Sequence, residues 1–272
     1  MYYQELTRGM AITDEVLTIH STFLNREVTC SLLVPESLDE LNKISLLLLN
    51  DGQELENLKL KTTLENLYNN QQIVPVLVAA IHANEERIQE YGVSGTPDFK
   101  GRGSKASAYT SFITQELLPK LQELVGLKTF NNIAFAGFSL GGLSALDIVW
   151  NNPQMFNKAG AFSGSFWWRS KDLNDGYDEA QDRIMHKMIG QKKHQPGLKF
   201  WFQTGTKDET ADRNHNGIID SLDDTVDLIK TLRHKGYDAW KDIQYLEVVN
   251  GQHNIETWSK AMPKFLRWAF SK

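Results

Sequence analysis

Apolar and polar positions along the chain fall into a repeating order. Short β-rich apolar runs alternate with longer stretches of helical spacing. The strand candidates are "EVLTIHSTFL", "VTCSLLVP", "ISLLLLND", "IVPVLVAAI", "NNIAFAGF", "KAGAFSGS", "LKFWFQTG" and "IQYLEVVN". Several are apolar throughout, as central strands covered on both faces must be. Between the later runs the spacing predicts helices over "SAYTSFITQELLPKLQEL", "GGLSALDIVWNN", "DTVDLIKTLRHKG" and the closing "IETWSKAMPKFLRWAF". No helix pattern separates the first two strands, so they are expected to pair as a hairpin at the sheet edge. That order predicts a doubly wound, mostly parallel sheet with helices on both faces. The polar stretch 166–197 is too short to fold alone, which leaves residues 1–272 as one domain.

Composition narrows the partners. Of 272 residues 41% are hydrophobic and 23% charged, an ordinary globular balance. The net charge of −5, from 29 basic and 34 acidic residues, comes with no dense basic cluster, which argues against nucleic acid. The single cysteine, Cys30, lies in an apolar run and reads as a buried, inert thiol. "IVPVLVAAI" is too short to span a bilayer and carries a proline. The opening "MYYQELTRGM" has no basic region followed by an apolar core, so a cytoplasmic location is expected. A periplasmic or secreted protein whose signal peptide has been removed is the alternative.

The chemistry centres on "FAGFSLGGLSAL". Here Ser139 sits between Gly137 and Gly141, after one apolar strand and before a small-residue helix. A strand-to-helix turn this tight wants glycine on both sides, and the following helix aims its dipole and the Leu140 N–H at a developing oxyanion. A serine nucleophile needs a base. His253, in "VVNGQHN" between the last strand and the last helix, is placed to serve, with His82 at an earlier strand end as the rival. The orienting acid belongs after the penultimate strand, where Asp208 is the choice and Glu209 and Asp212 are the alternatives. A second oxyanion donor is expected from the Gln53 N–H, after Asp51-Gly52 at the end of "LLLLND". Aromatic residues Tyr91, Trp167 and Trp168, placed after strand ends, would wall an aryl or sugar-linked acyl pocket. Packing is the competing use for them.

A second motif, "DRNHNGIIDSLD" at 212–223, fits the template of a calcium loop. Asp212, Asn214, Asn216 and Asp220 would give side-chain oxygens, Ile218 its carbonyl and Asp223 the final ligand to a structural Ca2+. A metal-free polar turn is the other reading.

Taken together, "LNDGQ", "RIQEY", "GFSLGG", "AFSGSFWW", "GTKD" and "GQHNIETW" resemble the esterase branch of the α/β-hydrolases that includes enterochelin esterase, esterase D and feruloyl and acetylxylan esterases. The similarity runs from about residue 12 to the C-terminus. It implies an α/β-hydrolase fold and a serine carboxylic-ester hydrolase that forms an acyl-enzyme through Ser139, His253 and Asp208, with no cofactor for catalysis. The partner implied is a small-molecule ester, such as a siderophore or a carbohydrate-linked acyl ester. The N-terminal domain of full-length enterochelin esterases is missing, and Ile255 replaces an aromatic residue that often follows the His-Asn pair. Siderophore specificity is therefore not implied. An acyltransferase on the same scaffold and a non-catalytic calcium-dependent binding protein are the alternatives. The sequence does not set an oligomeric state.

Overall fold

A computed structural model describes residues 11–36 and 44–272; the leading residues 1–10, read above for a leader segment, lie outside these. Eight strands form one sheet: β1 (Ile12–Ser21), β2 (Arg26–Pro35), β3 (Ser45–Asn50), β4 (Val76–Ile81), β5 (Ile133–Phe138), β6 (Lys158–Phe162), β7 (Lys199–Lys207) and β8 (Ile243–Gln252). Their spatial order is β1-β2-β4-β3-β5-β6-β7-β8. β1 and β2 form the expected edge hairpin and β2 pairs antiparallel with β4. Every later pairing is parallel. This is the α/β-hydrolase architecture.

The helices are α1 (Leu60–Asn69), α2 (Arg87–Glu90), α3 (Ala106–Ser111), α4 (Leu118–Val125), α5 (Leu140–Asn151), α6 (Glu179–Asp182), α7 (Ile184–Gln191), α8 (Asp220–His234) and α9 (Ile255–Phe270). α3 and α4 are joined by a π-helical turn, Phe112–Leu117, so the predicted helix over 107–124 is one segment in three pieces. The excursion at 166–197 folds onto the sheet through α6 and α7.

Alternation along β5 shows why the sheet is covered twice. Ile133 and Phe135 join the core with α3, α4, α5, α7 and α8, whereas Ala134, Ala136 and Phe138 join the core with α1 and α9. A strand buried on both faces has no polar side, which is the pattern seen in its sequence. Cys30 is fully buried, and burial pushes its thiol up to about 12. Among the described residues no helix is long and apolar enough to cross a membrane.

Candidate active site

In parallel sheets of this kind the C-terminal strand ends collect the site. β5 ends at Phe138, α5 begins at Leu140, and Ser139 alone makes the turn with φ 53° and ψ −121°. That region is hostile to a residue with a side chain, so the turn is held by its surroundings. The Ser139 N–H donates to the Phe162 carbonyl at 2.9 Å, and its own carbonyl accepts from Ser165 N–H at 3.1 Å. Glycine is obligatory on either side. A Cβ at Gly137 would stand 2.4 Å from the Gly141 carbonyl oxygen, and one at Gly141 would stand 2.9 Å from the Asp51 carboxylate. The Ser139 hydroxyl lies 3.3 Å from that of Ser165, a buried residue that sequence reasoning did not single out.

Ser139 and His253 line the same cleft, of about 370 Å³, together with Gln53, Arg87, Ile255 and Trp258. His253 sits just past β8, with its ring edge-on to Trp258 at 5.2 Å. Its pKa is lowered, first by burial and further by the Arg87 charge, against an upward pull from Asp208. Asp208 follows β7. One of its oxygens accepts the Gly205 N–H at 2.9 Å, while Oδ1 is buried without a hydrogen-bond partner. Burial raises the Asp208 pKa, opposed by that N–H, by Ser163 and by His253. The three residues thus follow β5, β7 and β8, parallel strands in one half of the sheet. Among the described residues no hydrogen bond joins His253 to Ser139 or to Asp208.

The alternatives fall elsewhere. Glu209 accepts the Ser221 N–H at 2.6 Å and so serves the first turn of α8. His82 is hydrogen-bonded to Ser31 at 2.8 Å and lines a separate hollow of about 500 Å³ beside α1.

The loop after β3 is equally constrained. Asp51 is left-handed (φ 62°), and Gly52–Glu54 form a single 3₁₀ turn that brings Gln53 to the cleft. The Asp51 carboxylate is clamped by Arg87 through two bonds of 2.7 and 2.9 Å. Asn50 donates to the Gly141 carbonyl at 2.8 Å and accepts from the Tyr109 hydroxyl at 2.6 Å. Asp51 N–H donates to the Tyr91 hydroxyl at 3.2 Å. Burial holds both tyrosine pKa values well above the ordinary one, so these hydroxyls stay neutral. The network ties the loop after β3 to the Ser139 turn. Leu140, at the first helical position, presents an N–H with no intrahelical acceptor.

Two sequence expectations need correction. Tyr91 and Trp168 are 1% and 0% exposed and do not wall the cleft. Tyr91 turns its hydroxyl inward to Asp51, and the Trp168 ring fills the space left by Gly92 and Gly103. Trp167 is half-buried under the Arg102 guanidinium at 5.0 Å, also outside the cleft. Large apolar rings after strand ends gain more by burial than by facing water.

The second correction concerns the 212–223 loop. Asp212 accepts the Asn216 and Gly217 N–H groups at 3.1 and 2.9 Å. Asn214 and Asn216 both donate to Asp223 Oδ2, at 2.9 and 3.1 Å, and Asn216 Oδ1 accepts the N–H of exposed Ile218. Asp220 accepts the Arg213 N–H at 2.9 Å. The candidate oxygens are satisfied by the loop itself. Among the described residues no group of three or more His, Cys, Asp or Glu is placed to hold a metal ion. The calcium reading is not supported. Arg213 instead supplies a buried cation, paired with Glu179 at 2.7 Å and with Asp224.

A family model described as "Putative esterase" matches residues 21–269. The chain belongs to this esterase family. It is 24% identical over 208 residues to "Uncharacterized protein YbbA" of Bacillus subtilis (strain 168), covering 74% of this chain and 76% of that protein. The fold is similar to the enterobactin esterase FES from Shigella flexneri (TM-score 0.72, 19% identity), covering 95% of this chain and 59% of that one. A ferulic acid esterase is similar over 96% of this chain and 98% of its own (TM-score 0.71, 17% identity). The chain therefore spans about three fifths of the length of the enterobactin esterase.

Proposed function

We propose that this esterase-family chain hydrolyses small carboxylic esters through an acyl-enzyme on Ser139. The observation that carries the reading is the strained, doubly glycine-flanked Ser139 facing His253 across one cleft, beside a loop of fixed N–H groups. His253 takes the hydroxyl proton as Ser139 Oγ attacks the ester carbonyl, and Asp208 holds the imidazole in the tautomer that can accept it. The carbonyl oxygen becomes an oxyanion held by the Leu140 and Gln53 N–H groups. Collapse expels the alcohol, which receives the proton from His253. Water then repeats the sequence on the acyl-enzyme and releases the acid. None of these steps calls on a metal or an organic cofactor.

The cleft is of a size for a small molecule, and Phe138, Ile255 and Trp258 give it an apolar wall opposite the Arg87 guanidinium. An ester whose acyl or alcohol part is aromatic suits it; enterobactin and ferulic esters, named for the structural relatives, are the first candidates. Turnover of p-nitrophenyl acetate tests the reaction. Ser139→Ala and His253→Ala are each expected to lose about 10⁴-fold in kcat, with the double variant scarcely worse. Near wild-type turnover in either variant would overturn the mechanism. A panel of acetyl, butyryl, feruloyl-sugar and catecholate-lactone esters would identify the substrate, and a hydroxyl acceptor that outcompetes water would redefine the enzyme as an acyltransferase.

A further inference from the structure

Asp208 Oδ1 is an anomaly: it belongs to a carboxylate 9% exposed, has no hydrogen-bond partner, and packs onto the backbone of Gly205. Orphaned buried oxygens are costly and rare. Ser163 is the residue that follows β6, the strand paired with β7, and Asp208 follows β7, so the two residues leave neighbouring strand ends. Ser163 is 2% exposed and takes a left-handed backbone, φ 47°, with its N–H donated to the Gln203 carbonyl at 2.7 Å. Its Oγ accepts a hydrogen bond from Trp258 Nε1 at 2.9 Å. An indole nitrogen can only donate, so the Ser163 oxygen is the acceptor in that bond and its own proton is free for another partner. The same Trp258 ring meets His253 edge-on at 5.2 Å and stacks on Phe138 at 5.0 Å.

We infer that Ser163, oriented by Trp258, is a positioning residue that donates its hydroxyl proton to Asp208 Oδ1 and fixes the acid beneath His253. The inference rests on the proposed Ser139–His253–Asp208 mechanism. It accounts for features that mechanism leaves unused: a left-handed serine just past β6 and a buried indole N–H aimed at it. With one oxygen held by the Gly205 N–H and the other by Ser163, Asp208 cannot rotate away. Trp258 packs the histidine ring over it, so acid and base are registered by one side-chain pair.

The consequence is read in the pH profile. The ionisable groups around the pair are His253 just past β8, Tyr245 from β8, Glu209 next in the chain and Arg87, which lines the cleft with His253. Removing a donor from a carboxylate makes it more basic, so the coupled Asp208–His253 pair holds its last proton to higher pH. Ser163→Ala is expected to lower kcat about 10- to 100-fold with KM nearly unchanged, and to move the acid limb of kcat/KM upward. Trp258→Phe keeps an aromatic ring but not the indole N–H, and should shift the limb the same way by a smaller amount. In an Asp208→Asn background, Ser163→Ala should add no further loss. An acid limb left at its wild-type position in both Ser163→Ala and Trp258→Phe would overturn the inference, whatever happens to kcat. So would a full further loss from Ser163→Ala on Asp208→Asn. Failure of the underlying mechanism is separately visible, as turnover that survives in Ser139→Ala.

Discussion

In the proposed mechanism His253 works only as a neutral imidazole, so its titration sets the lower pH limit of activity. Burial and Arg87 lower its pKa from the ordinary 6.5. Activity should therefore persist below that pH, and the acid limb of kcat/KM should lie under 6.5 in assays across pH 4–8. Asp208→Asn removes the one charge that holds the imidazolium up, so it should cut kcat by about 10⁴-fold while the fold stays intact. Glu209→Gln should leave kcat close to wild type, because that carboxylate is spent on the Ser221 N–H. A reversal of these two results would move the acid by one residue. Ser139, His253 and Asp208 were singled out in the sequence because each follows an apolar run, and the structure makes each of those runs a strand. Asn50, Ser163 and Ser165 were not. Their only sequence signal is a polar residue closing an apolar strand, and that signal does not say which partner lies across the sheet.

In the proposed mechanism, alignment between elements depends on the buried link from α3 through β3 to α5. Tyr109 bonds Asn50, and Asn50 bonds the Gly141 carbonyl of the nucleophile turn. Tyr109→Phe would strand the Asn50 oxygen in a fully buried place, at a cost of about 1–3 kcal/mol measured by urea unfolding. It should also lower kcat more than it raises KM, because the oxyanion donors are displaced while the cleft lining is untouched; an equal rise in KM would place the effect on substrate binding instead. The strands and the edge hairpin were readable because each face of the sheet imposes its own period. α1 was not singled out, although Leu60, Leu64 and Leu67 do share a buried stripe. It starts after a left-handed Lys59 with no capping side chain, and so shows no start signal. The aromatic residues of the excursion misled for a related reason. Their position after strand ends was read correctly, but the direction of each side chain is decided by what lies beneath it.

Across the whole molecule, stability is tuned by groups remote from the cleft. Asp147 on α5 is fully buried and its pKa is raised from 3.8 to about 7 by burial, despite hydrogen bonds from the Ser94 N–H and Asn151. The folded protein therefore binds a proton that the unfolded chain has already lost between about pH 4 and 7. Stability from this group is full below that window and falls as pH rises through it, by on the order of 4 kcal/mol. Asp147→Asn should flatten that part of a stability-against-pH curve from chemical denaturation; an unchanged slope would show that another group is responsible. A different tension lies in the Ser139 turn itself. Holding a serine at φ 53° and ψ −121° costs on the order of 1–3 kcal/mol, which glycine would escape almost entirely. Ser139→Gly should therefore melt higher than Ser139→Ala, which keeps the Cβ and the strain. A library sorted only for survival at high temperature would drift toward glycine at 139, enriching folded and inert protein, so durability and turnover must be selected together.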